Sequence, residues 1–189
     1  YDETLAWFSQ LPLWFETSNV RAVHACWHTP SQTELNHLLD DQHRPQNRSF
    51  FTETGIPGSE AWQAREVLLN GMEAKLPDEV AFTDYYGITR RRIRVNWWSP
   101  GQTTFRQAAV IDETQRHVIP DLQMEEDSPA YNDTLCFFGH YWMRGAPRIQ
   151  HPRAVCLDYS IALPDGALCA YRFNGETDAN QDGLRWRGH

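Results

Sequence analysis

His24 and His140 are the residues whose type and setting best suit chemistry. The first follows Arg21-Ala22-Val23 and the second follows Phe137-Phe138-Gly139; both runs predict strands. A histidine at the carboxyl end of a buried strand lies where open α/β sheets place their ligands. A neutral imidazole there can hold a metal ion or take a proton. Gly139 would let the backbone turn tightly or come close to a ligand. Either histidine alone reads first as a structural residue; the ordered pair is more specific.

Other groupings are weaker. His24-Ala25-Cys26-Trp27-His28 sets two histidines and a thiol on one face of a strand, but these ligands would spread over roughly 13 Å, too far to share an ion without a kink. Asp41-Gln42-His43 lies in a polar loop and Asn36-His37 between leucines on a short helix, so neither reads as a metal motif. Arg90-Arg91-Arg92 invites a nucleic-acid reading, yet the chain carries 25 acidic against 17 basic side chains, a net charge of -8. A protein that coats nucleic acid needs a basic face. The arginines therefore read as part of an exposed strand face.

The elements that must position the histidines follow from periodicity and turn chemistry. With 41% hydrophobic and 13% aromatic residues among 189, the chain has enough apolar surface to fold as one unit, residues 1–189. A short opening helix carries Leu5, Phe8 and Leu11 and is closed by Pro12. Residues 13–16 and 20–27 read as strands joined by Thr17-Ser18-Asn19, with Val20, Ala22, His24 and Cys26 sharing one face. Ser31-Gln32-Thr33-Glu34 matches a capping box for a helix whose stripe is Leu35, Leu38 and Leu39. Residues 40–49 make a surface loop around Pro45. Ser59 caps a second helix, with Ala61, Ala64, Leu68 and Met72 along its buried stripe and Asn70-Gly71 at its end.

Further on, residues 77–87 are turn-rich, 88–98 alternate as a strand, and 123–133 form an acidic loop. Residues 135–138 are an apolar run of the kind covered on both faces. Residues 154–161 and 167–173 flank the turn Pro164-Asp165-Gly166, and a polar tail closes the chain. Cys26, Cys136, Cys156 and Cys169 form no Cys-x-x-Cys pair and read as reduced core thiols of a cytoplasmic protein. No run approaches the roughly 20 apolar residues that span a bilayer, so no membrane partner is expected.

Leu11-Pro12-Leu13-Trp14 leads to Val23-His24-Ala25-Cys26-Trp27, then to Phe138-Gly139-His140-Tyr141-Trp142. Cys156-Leu157-Asp158-Tyr159-Ser160 and Leu168-Cys169-Ala170-Tyr171-Arg172 follow. This order resembles the C-terminal half of the calcineurin-like metallophosphoesterases. Within them it is most similar to bacterial enzymes of the phosphoprotein-phosphatase type, including the symmetrical diadenosine-tetraphosphate hydrolases. Residues 40–58 and 114–132 match nothing in that family.

The resemblance implies half of an αββα sandwich: an α/β fold with a mixed sheet, outer helices and a C-terminal hairpin. It implies a phosphoester hydrolase in which two divalent metals, about 3.5–4 Å apart, activate a water that attacks phosphorus. The positions matching His24 and His140 both ligate the second metal, and imidazole suits Mn, Fe, Zn, Ni and Co alike. Substrates of such enzymes are phosphorylated small molecules, nucleotide polyphosphates or phosphoproteins. Arg144 would offer a phosphate contact, while Tyr141, Trp142 and Trp27 would wall the metals and stack on a nucleobase.

The family's other ligands precede the position matching His24, in an Asp-x-His, a Gly-Asp-x-x-Asp-Arg-Gly and a Gly-Asn-His-Asp or Glu motif. Residues 1–23 hold none of these. The chain, which opens on Tyr1, is therefore expected to be the C-terminal portion of a longer enzyme. Its acid–base residues would lie in the missing half, leaving this chain inactive alone and with apolar surface that favours self-association. The competing expectation is a non-catalytic binding or scaffold module that keeps the fold and two relic histidines.

Overall fold

Short apolar runs interrupted by proline, glycine and charge give short elements. The structure, a computed structural model, describes residues 2–46, 48–84, 87–99, 101–111, 113–124, 131 and 133–188. The first half contains α1 (Asp2–Phe8), β1 (Trp14–Glu16), β2 (Arg21–Val23), α2 (Thr29–Leu35), α3 (Arg48–Glu53) and α4 (Glu60–Asn70). There follow β3 (Glu73–Lys75), β4 (Phe82–Thr83), β5 (Thr89–Arg90), β6 (Arg92–Arg94) and α5 (Phe105–Ala108). The last third holds β7 (Cys136–Phe138), β8 (Ala154–Cys156), β9 (Asp158–Tyr159), β10 (Ala167–Tyr171) and β11 (Leu184–Gly188).

The central sheet has the order β1-β2-β7-β8. β2, β7 and β8 run parallel, and β1 is antiparallel at the edge, so the fold is mixed α/β with a mixed sheet and several helices. Parallel strands need cover on both faces, and Cys136, Ala154, Val155 and Cys156 accordingly have no exposed surface. α4 supplies cover for this core, burying Ala61, Ala64 and Leu68 with Val23, Cys136 and Phe138. Its ends are set by chemistry legible in the sequence: Ser59 Oγ accepts from Trp62 N at 3.1 Å, and Gly71 takes φ +83° beyond the last turn. A side chain at Gly71 would also strike the Tyr141 hydroxyl.

Two smaller units flank this sheet. The β3-β6 ribbon covers a second core that includes Leu76, Ile93, Val95 and Phe105. At the C-terminus, β11-β10-β9 form an antiparallel sheet over Leu135, Val155, Tyr159 and Leu184. The expected hairpin around Pro164-Asp165-Gly166 is present only as the short β9–β10 pair, Tyr159 opposite Ala167; the strand expected over 154–161 is split, because residues 154–156 pair with β7 in the central sheet instead.

Several expectations are corrected. The capping box does not start its helix: α2 begins at Thr29 with His28 as cap, and Ser31 is buried. Pro30 fixes a helical φ at the first turn and so starts the helix early. The strand predicted over 20–27 stops at Val23, because the Ala25 and Cys26 amides leave the sheet and donate to Leu68 O, at 3.0 and 3.5 Å. The strand predicted over 88–98 is two pieces, β5 and β6, broken at Arg91, whose carbonyl accepts from Leu76 N. The polar tail is instead β11, which pairs with β10 over five positions from Ala167↔Gly188 to Tyr171↔Leu184; a backbone ladder does not require an apolar sequence. The opening helix ends at Phe8, short of Pro12, and Phe8 and Leu11 are 53% and 39% exposed. The loop over 40–49 ends where α3 begins, at Arg48. Of the acidic loop, residues 125–130 and 132 lie outside the described residues. No helix among the described residues is long and apolar enough to cross a membrane.

Candidate functional site

β2 and β7 are parallel neighbours in the register Arg21↔Cys136 and Ala22↔Phe137, so their carboxyl ends emerge side by side. Gly139 N then donates to His24 O at 2.9 Å, extending the pairing by one more bond. The result sets the His24 and His140 rings 5.3 Å apart between centroids, inclined at 51°. β8 ends beside them, with Leu157 N donating to Phe138 O at 2.8 Å. The next residue is Asp158, whose negative charge acts on both imidazoles. Three chemistry-bearing residues thus stand at the ends of three adjacent parallel strands, the place where such sheets bind ligands.

The register that makes this meeting is held by Arg21. Its guanidinium pairs with Glu16 at 2.7 Å and Asp133 at 2.6 Å, and lies 4.6 Å from the Trp27 ring centroid. β1, β2 and the approach to β7 are thereby tied through one side chain. The loops beyond the strands are strained. His140, Trp142 and Ser160 adopt φ of +70°, +50° and +55°, a region that residues with a Cβ seldom enter. Local bonds hold them: Met143 N donates to Asp158 O at 2.9 Å, and Ser160 N to Asp158 Oδ1 at 3.0 Å.

Burial lowers the His140 pKa to about 4, assisted by the nearby Arg94 charge and by His24 and opposed by Asp158. Burial also lowers that of His24, with Asp158 again opposing. Both imidazoles are therefore neutral at neutral pH. His140 Nε2 is moreover buried without a hydrogen-bond partner, a condition rare enough to require an explanation.

The remaining candidates fall in varied places. Trp27 is buried beneath Arg21, and Tyr141 is buried edge-on to Trp98 at 5.0 Å. Trp142, in contrast, is 53% exposed, with its ring centroid 6.3 Å from that of His140. Arg144 is engaged by Asp165, its Nη1 donating to both carboxylate oxygens at 2.8 and 3.0 Å. His28 is occupied in capping α2, Cys26 is fully buried, and His43 stacks on Trp14 at 4.3 Å. The four cysteines are free and buried, and burial raises their thiol pKa values, which leaves them protonated and unreactive.

Two residues escaped the sequence reading. Asp158 carried a usable signal, since it follows an apolar strand just as the histidines do. Arg94 did not, because its place beside His140 depends on strand register. Among the described residues no group of three or more His, Cys, Asp or Glu is arranged to hold a metal ion; the site offers two nitrogen donors. No family model, curated protein or solved structure matches this chain.

Proposed function

We propose that the chain is the C-terminal portion of a metal-dependent phosphoester hydrolase of the calcineurin-like metallophosphoesterase class, half of its αββα sandwich. In this reading His24 and His140 bind one divalent ion. The observation that carries it is the meeting of two neutral imidazoles, 5.3 Å apart, at the ends of parallel strands. The donor set fits: neutral imidazole suits Mn, Fe, Zn, Ni or Co, and the orphaned His140 Nε2 is a buried nitrogen in want of a partner. When bound, the metal would supply Lewis-acid polarisation of the phosphate ester and an activated water.

The chain's own part is positional. The strained turn after Gly139 fixes the His140 ring, the parallel register brings His24 to it, and burial keeps both unprotonated. Catalytic metal sites normally take three or more protein ligands. The remaining donors and the acid–base residues therefore belong to a portion of the enzyme outside this chain. A second reading, a non-catalytic module with two relic histidines, draws on the lack of a three-ligand group among the described residues.

Calorimetric titration with Mn²⁺ separates the two. The hydrolase reading expects binding that His24→Ala and His140→Ala each weaken by at least about tenfold. Binding indifferent to both substitutions would defeat it. In the complete enzyme, His140→Ala should also lower p-nitrophenyl phosphate turnover by orders of magnitude.

A further inference from the structure

Seven of the described arginines are half-buried. Six of them, Arg21 and Arg153 included, are paired with a carboxylate. Arg94 is the seventh, and among the described residues no carboxylate pairs with it. A half-buried cation left without an anion is costly unless something else completes it.

Strand register explains how the vacancy arises. In the β3–β6 ribbon Arg94 stands opposite Glu73, its natural cross-strand partner. Glu73 is instead taken by Arg92, whose Nε donates to Glu73 Oε2 at 2.8 Å. Arg94 is thereby released toward the central sheet, where its guanidinium carbon lies 5.5 Å from the Trp142 ring centroid. Its charge reaches His140 as well, opposing protonation of that ring. A free guanidinium, an exposed tryptophan and a histidine with an orphaned nitrogen thus form one group at the strand ends.

Resting on the hydrolase reading above, we propose that Arg94 and Trp142 are the substrate-binding residues of this site. Arg94 takes the non-bridging oxygens of a phosphate monoester, and Trp142 packs against a planar aromatic group on the same ester. Guanidinium presents paired N–H groups that match phosphate oxygens. Contact with an indole holds that guanidinium in place without neutralising it. Trp142 at φ +50° is kept in a strained backbone conformation, as ligand-contacting residues often are. Arg94, held at the strand ends beside Trp142, is the cation that meets the anion. Arg144, the other candidate for this role, is already bound to Asp165.

The test is calorimetric titration of the metal-free protein, in chelator at pH 7.5, with orthophosphate and with phenyl phosphate. Arg94→Gln should weaken both by about tenfold or more, the worth of a charge-assisted contact. Arg94→Lys, which keeps the charge and loses the fork, should fall between. Trp142→Ala should weaken phenyl phosphate about tenfold while changing orthophosphate less than threefold. Orthophosphate affinity within twofold of wild type in both Arg94 variants would overturn the assignment, as would no phosphate binding by the wild type. Mn²⁺ titration keeps the two ideas apart. Phosphate binding through Arg94 with no Mn²⁺ binding leaves the subsite standing and removes the hydrolase; Mn²⁺ binding with phosphate indifferent to Arg94 does the reverse.

Discussion

The mouth of the central sheet and the C-terminal antiparallel sheet obey different rules. In the C-terminal sheet β10 and β11 pair over five consecutive positions, and in the hairpin-side loop beyond β10 positive φ falls on a glycine, Gly175. At the mouth the strands are three residues long, positive φ falls on His140 and Trp142, whereas Ser160, also at positive φ, belongs to the β9–β10 turn of the other sheet, and a buried nitrogen at the mouth has no partner. Local rules are broken more often where a ligand is proposed than where only stability is at stake. The strain is small in energy beside the burial around it, so the surrounding core can impose it.

That contrast can be broken or sharpened by substitution. The largest effect should come from the relaxed sheet. Leu184, 6% exposed in its core, should cost about 2–5 kcal/mol when changed to Ala, read as a lower urea midpoint. A loss well under 1 kcal/mol would show that this sheet is not the ordered unit its ladder suggests.

Next comes pH. The His140 pKa is about 4 in the folded chain against 6.5 for the free side chain. Between those values the unfolded chain binds more protons than the folded one, so stability rises with pH. The contribution is complete above about pH 6.5 and is lost as pH falls toward 4; burial of His24 adds in the same direction. His140→Ala should flatten the urea midpoint across this window, and an unchanged slope would contradict the burial of that ring.

A smaller effect has the opposite sign. His140→Gly removes the Cβ penalty at φ +70° and should raise stability by about 1 kcal/mol even as it abolishes the proposed metal contact. A gain in midpoint with a loss of Mn²⁺ affinity would separate the two demands on one residue. The smallest effect is expected at Arg144→Ala, where an ion pair with side chains 37% and 67% exposed should be worth under about 1 kcal/mol.

The sequence showed where the central strands lie and that His24 and His140 follow two of them, for a physical reason. Buried parallel strands write themselves as continuous apolar runs, and a histidine directly after one is visible as a change of type. α4 was legible because Ser59, the apolar stripe and Gly71 agree. What failed was decided by partners distant in sequence. β2 ends where Leu68 O draws off the next amides, and β11 exists because β10 offers a ladder. Arg94 was invisible among its neighbours in 90–94: which arginine keeps Glu73 and which is freed is a property of register, not of composition.

The β2–β7 contact has a kinetic side. Arg21 and Asp133 meet across 112 residues of chain, and the histidine rings across a similar span. Closing so long a loop before any local reward makes parallel pairing slow. The proposed metal-binding face would therefore come into being late, after α2, α4 and the ribbon have had time to form. Ions that bind only the finished pair would slow its opening, so protection of the Gly139 amide from hydrogen exchange reports both assembly and occupancy.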